Sequence, residues 1–203
     1  MSSDLIARKY TEIVRAHWIP ISVVFGIALL HRLLYLYFLE DNPLYDSPAL
    51  DAALHVAWGR EIAFDSFVGQ SAPFFRAPFY AYFLGAIFKI AGFSYHLPRL
   101  IQFSLGALSC VLIYLLAYKI TGKLRTASIA GLLAASYWPF IYFEGELLIP
   151  GLLVFLILTG FLLLVRCLET RSPSQFLFSG CIFGIAAITR ELLPEVVDWR
   201  SES

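Results

Sequence analysis

Three carboxylates and a few cations in this chain stand where chemistry at a membrane face can be done. Asp51 is the sharpest of them. It lies near the start of LDAALHVAWGREIA, in which Leu50, Ala53, Leu54, Ala57 and Trp58 recur at helical spacing. A carboxylate there can take a proton as a general base or hold a metal ion. A solvated Asp, favoured by the positive end of a helix, satisfies the same pattern. His55 follows four residues on, on a neighbouring face. Glu144 and Glu146 form the second group, in FEGELL. They occupy a short corner between two apolar runs, so both stay near the membrane. Charge at membrane depth is costly and tends to mark function; a corner opening into water explains it equally.

The cations divide in the same way. Arg76, in FFRAPFY, is placed to grip a phosphate bidentately or to snorkel towards lipid headgroups. Arg99 has the same two readings, with snorkelling favoured at the start of an apolar span. Arg32 falls inside the first apolar run beside His31, and either reaches the interface or meets a buried partner. Asp41, Asp46, Glu61 and Asp65 read as loop charges, Asp46 having some claim as a second carboxylate near Asp51. Phosphate-cradling glycine loops, zinc-ligand spacing and the G-x-S-x-G elbow are absent from the sequence.

The elements that must position these groups are membrane helices. The chain is 59% hydrophobic, against about 45–50% for soluble domains. Lys+Arg and Asp+Glu balance at 15 each, so net charge gives no sign of a nucleic-acid partner. Cys110, Cys167 and Cys181 lie in apolar stretches without C-x-x-C spacing and read as small buried hydrophobes. A spanning helix takes about 20 apolar residues. Candidate spans fall near residues 19–39, 100–117, 127–143, 147–165 and 176–188. The first follows Arg8, Lys9 and Arg15 and is too long for a cleavable signal, so it reads as an anchor after a cytoplasmic tail, 1–18. Lys119, Lys123, Arg125, Arg166 and Arg171 return to that side by the positive-inside rule. The outer loop 40–99, the FEGELL corner and Arg190 then share the outer face. Within the loop, Ser47-Pro48 predicts a helix start, the hydroxyl capping and proline opening the first turn. A second short helix is expected from Pro78 to Ala91, stopped by Gly92, too short to span and so either interfacial or re-entrant. The expected fold is thus an all-α polytopic membrane protein, with about five transmembrane helices and two short interfacial helices.

In that order the chain resembles the N-terminal half of the GT-C superfamily of membrane glycosyltransferases. The branch is the one related to dolichyl-phosphate-mannose protein mannosyltransferases and lipid A aminoarabinose transferases. The resemblance rests on LDAALHVAWGREIA, PFFRAPFYAYFLGAIFKIAG, PRLIQFSLGALSCVLIYLL, FIYFEGELLIPGLLVFL and GIAAITR, and extends roughly over residues 30–190. It implies transfer of a sugar from a polyprenyl-phosphate carrier to a hydroxyl of a protein, lipid or glycan. It implies an active face on the outer side of a bacterial inner membrane. Asp51 then takes the role of the loop acid that activates the acceptor or helps bind a divalent metal, Mg or Mn. Glu146, with Glu144 behind it, takes the second acidic position. Arg76 and Arg190 become candidates for the carrier phosphate.

Two departures stand out. Ala52-Ala53-Leu54-His55 follow the loop acid where relatives carry tyrosines, and ITR runs into ELLPEVVDWRSES where relatives continue T-R-P-N. Residues 191–203 are accordingly expected to be an aberrant polar tail left by a frameshift or early stop. The competing expectation is an inactive membrane fragment or a non-catalytic subunit. A transporter fits less well, because the charges gather at one face and the middle spans are almost wholly apolar.

Overall fold

The computed structural model of the protein describes residues 17–43, 45–66 and 77–190, and the regular structure among them is helical throughout. The helices are α1 (Trp18–Leu39), α2 (Leu50–Phe64), α3 (Phe79–Ala91), α4 (His96–Thr121), α5 (Leu124–Ala135), α6 (Trp138–Gly145), α7 (Ile149–Thr170) and α8 (Pro173–Ala187). Three of them, α1, α4 and α7, are each long and apolar enough to cross a membrane. The third expected span is two helices, α5 and α6, bent by 44° where they meet. The fifth is α8, with 15 residues, short of the about 20 that a span needs.

The bend has a local cause. Pro139 is the second residue of α6. It has no N–H to give, and its ring would strike the carbonyl four residues back, that of Ala135. The ladder breaks there, and the freed Ala135 carbonyl accepts a hydrogen bond from His31 Nδ1 at 3.1 Å. A side chain of α1 thus satisfies the backbone group that proline orphans.

Ser47 does not open α2. The helix starts at Leu50 behind Ala49, without a side-chain cap. Leu50 has φ 54°, a left-handed conformation that stops any helix running in from Ser47-Pro48. Asp51 keeps its place in the first turn. α3 ends as expected, its C-cap being Gly92 at φ 82°, a conformation that favours glycine.

Around α4 pack α1, α5, α6 and α7. Lipid tails are as apolar as leucine, so close packing and small residues hold such helices together. Val24 and Ala28 of α1 meet Ala107, Cys110 and Tyr114 of α4 and Ala127 of α5 in one buried cluster. Helices α2 and α3 form a tight hairpin crossing at glycines. A Cβ on Gly59 would lie 2.9 Å from that of Leu84, and one on Gly85 2.9 Å from Ile62. The hairpin presses Val56, Tyr80, Leu84 and Phe88 onto Leu147, Leu152 and Leu156 of the α6–α7 corner and α7, and onto Ala186 of α8. Cys110 and Cys167 are buried free thiols, as expected, but Cys181 is exposed, so α8 turns it away from the bundle.

Candidate active site

The end of α1, the starts of α2 and α4 and the α6–α7 corner meet at one end of the bundle. The other end holds an ion pair, Lys119 to Glu169 at 2.7 Å, joining α4 to α7.

The two glutamates of the corner have opposite environments. Glu144 turns into the bundle and is buried. Arg32 grips it with a fork, Nε to Oε2 at 2.6 Å and Nη2 to Oε1 at 2.9 Å, while Nη1 donates to the Ala28 carbonyl at 3.0 Å. Arg32 therefore has the buried structural partner and does not reach the interface. Two glycines make room for the carboxylate. A Cβ on Gly106 would overlap the Glu144 carboxyl group, and one on Gly151 would come within 2.7 Å of its Cγ. Fork geometry, with each guanidinium nitrogen making a hydrogen bond, is what a desolvated pair at membrane depth requires.

Glu146 is half-buried, and the Tyr35 hydroxyl lies 3.4 Å from its Oε1. Its backbone is held from both sides. Arg99 Nε donates to the Gly145 carbonyl at 2.7 Å, and Gln102 Nε2 to the Leu148 carbonyl at 3.1 Å. Between them Leu147 is fully buried at φ 55°. A non-glycine residue in that region costs about 1–3 kcal/mol and persists only where its surroundings dictate it.

Arg99 is 1% exposed and so does not snorkel. Its Nη2 donates to the Tyr45 carbonyl at 2.9 Å, and its guanidinium lies 4.2 Å from the centre of the Tyr45 ring. The Tyr45 hydroxyl shares a 2.7 Å hydrogen bond with His96 Nδ1, which also lies 3.4 Å from Glu40. Burial pushes the Tyr45 hydroxyl above its ordinary pKa, with the Arg99 charge pulling it back. Gln102 is in turn held by the Tyr80 hydroxyl, which donates to Oε1 at 2.8 Å. Burial keeps that hydroxyl well above the usual phenol range, so it stays protonated and able to donate.

Asp51 is exposed on α2. Arg190 is exposed at the end of the described chain, next to the buried Thr189. The start of α3 is tied to the same region, Phe79 N–H donating to the Ile188 carbonyl at 3.3 Å. Arg76 lies outside the described residues. Among the described residues, His, Cys, Asp and Glu side chains nowhere gather in threes suited to a metal. The sequence reading passed over Tyr35, Tyr45 and His96, and took Tyr80 and Gln102 only as parts of the segments PFFRAPFY and PRLIQ, without a role for either. The three-residue step from Arg99 to Gln102, which puts both on one face of α4, was the available signal.

The fold and this site define a class, an integral membrane protein of helices with a buried network of acidic, cationic and tyrosine side chains towards one end. A family model described as dolichyl-phosphate-mannose-protein mannosyltransferase matches residues 75–194, more than half of the chain, and the chain belongs to that family. Its general class is that of the membrane glycosyltransferases of mannosyltransferase type, with a polyprenyl-phosphate sugar donor and an acceptor that becomes glycosylated. No curated protein and no solved structure matches the chain.

Proposed function

We propose that the protein transfers a sugar from a polyprenyl-phosphate carrier to a hydroxyl of a protein, lipid or glycan, at the outer face of a bacterial inner membrane. Family membership across residues 75–194 carries this reading. In the reaction the acceptor oxygen bonds to the anomeric carbon of the sugar. The bond from that carbon to the phosphate oxygen breaks, polyprenyl phosphate leaves, and the hydroxyl proton passes to a base.

Asp51 is that base. It is exposed in the first turn of α2, where a carboxylate within reach of the acceptor hydroxyl can take its proton. Glu146, half-buried on a fixed corner, is the second acidic group and orients the acceptor. Glu144 is already committed to Arg32 and serves structure. Arg190 and Arg76 serve the carrier phosphate, whose lipid tail stays in the bilayer. A divalent cation such as Mg or Mn, if bound, would be held by Asp51 and Glu146 with donor oxygens and waters, and would offset charge on the leaving phosphate.

The orientation follows from charge. Lys119, Lys123, Arg125, Arg166 and Arg171 lie around the α4–α5 and α7–α8 turns, at the end of the bundle away from the corner. The positive-inside rule puts that end in the cytoplasm.

The test is sugar transfer by the full gene product in membrane vesicles, supplied with labelled polyprenyl-phosphate mannose. Asp51→Asn should lower transfer by about 10²–10⁴-fold while membrane insertion and thermal stability stay unchanged. Full transfer by that variant would remove Asp51 from the mechanism. Absence of transfer by the wild type with any polyprenyl-phosphate sugar would favour a non-catalytic membrane protein.

A further inference from the structure

We infer that Arg99 is a positioning residue that fixes the Asp51-bearing and Glu146-bearing segments relative to one another, with Gln102 as its second point of attachment. The inference rests on the reading of Asp51 and Glu146 as the working carboxylates, and adds what sets their separation.

One guanidinium touches both segments. Arg99 donates through Nη2 to the carbonyl of Tyr45, six residues ahead of Asp51, and through Nε to the carbonyl of Gly145, the residue before Glu146. Both acceptors are backbone oxygens, so the contacts fix the path of the chain without occupying either carboxylate. Tyr45 cannot swing away, since its ring lies against the same guanidinium and its hydroxyl is engaged by His96. Nη1 lies 3.4 Å from the Tyr95 carbonyl, which ties the fork back to the start of its own helix. Gln102, one turn along α4, holds the far shoulder of the corner at Leu148. It links that shoulder through Tyr80 to α3, and hence to the hairpin that carries Asp51. The left-handed Leu147 lies between the two points of attachment, and such a conformation persists only where its surroundings dictate it.

A planar fork is what this needs. Guanidinium donors leave in fixed directions, whereas an ammonium is a single point charge on a flexible stem. Arg99→Lys therefore keeps the charge and loses the geometry, and the positioning role predicts that this exchange is not tolerated.

The experiment measures the separation directly. Spin labels go onto the exposed positions Leu54 of α2 and Tyr142 of α6, as Leu54→Cys and Tyr142→Cys, with the exposed Cys181 replaced by Ala. A second pair, Ile120→Cys and Leu168→Cys, reports the opposite end of the bundle, where both residues are exposed. Electron–electron distance distributions are recorded in nanodiscs for the full chain, with and without Arg99→Lys. The expected result is a broadened Leu54–Tyr142 distribution and an unchanged Ile120–Leu168 distribution. Gln102→Leu, which releases one shoulder alone, should broaden the first pair less, and decides the matter if Arg99→Lys does not fold. Unchanged distributions at both pairs, or equal broadening at both, would overturn the inference. In the vesicle assay, Arg99→Lys should lower kcat by about 100-fold with KM little changed, the signature of a misplaced group. Absence of transfer by the wild type would count against the glycosyltransferase reading and leave the distance result standing.

Discussion

The buried pair between Arg32 and Glu144 sets a measurable stability. Arg32 is fully buried, and its three contacts are all satisfied within the bundle, two by Glu144 and one by Ala28. Replacing Glu144 by Leu leaves Nε and Nη2 without acceptors in a site closed by Gly106 and Gly151. Removing one partner of a buried pair costs about 3–5 kcal/mol. For a chain of this size that corresponds to a fall of about 6–20 °C in Tm. Replacing both partners, as Arg32→Met with Glu144→Leu, removes the stranded charge together with its partner, and most of the loss should return. The assay is a double-mutant cycle on thermal unfolding in one fixed detergent, followed by tryptophan fluorescence. Two results refute the reasoning. One is a loss under about 1 kcal/mol for Glu144→Leu, the range of an exposed pair. The other is a double variant as unstable as the sum of the two singles. A Glu144→Gln protein that keeps its stability and loses sugar transfer would assign Glu144 to the chemistry instead.

Two further outcomes follow from the same packing. Gly106→Ala puts a methyl group where the Glu144 carboxylate lies, so it should cost about 1–3 kcal/mol by overpacking, read in the same unfolding experiment. Lys119→Ala removes a pair in which Glu169 is exposed, so it should cost less than about 1 kcal/mol and leave transfer rates unchanged.

Much of the helix pattern was legible because it is local. Apolar length alone located α1, α4 and α7, and Gly92 marked the end of α3. The break before α6 was legible in principle, since Pro139 stands in the sequence; an apolar run reads as continuous when hydropathy is weighed without the backbone. Ser47-Pro48 gave a sound local signal for a helix start, and the left-handed turn at Leu50 overrode it. The site was legible in its residue types and not in its pairings. Arg32 and Glu144 are 112 positions apart, and no spacing rule reaches that far. Arg99 carried the features of a snorkelling cation at a helix start; only the carbonyls of Tyr45 and Gly145, from two distant segments, turn it inward.

The Arg32–Glu144 pair also bears on how the chain is made. Synthesis runs from the N-terminus, so α1 enters the bilayer with its guanidinium long before Glu144 has left the ribosome. An arginine near the middle of an inserted helix costs about 2.5–3.5 kcal/mol on insertion scales, and Arg32, about two turns from the end of α1, offsets part of this by reaching for the headgroups while it waits. Only when α6 arrives does it turn inward. Until then α1 carries a charge that the finished bundle pairs and buries, so the first helix of the chain depends for its final seat on the sixth.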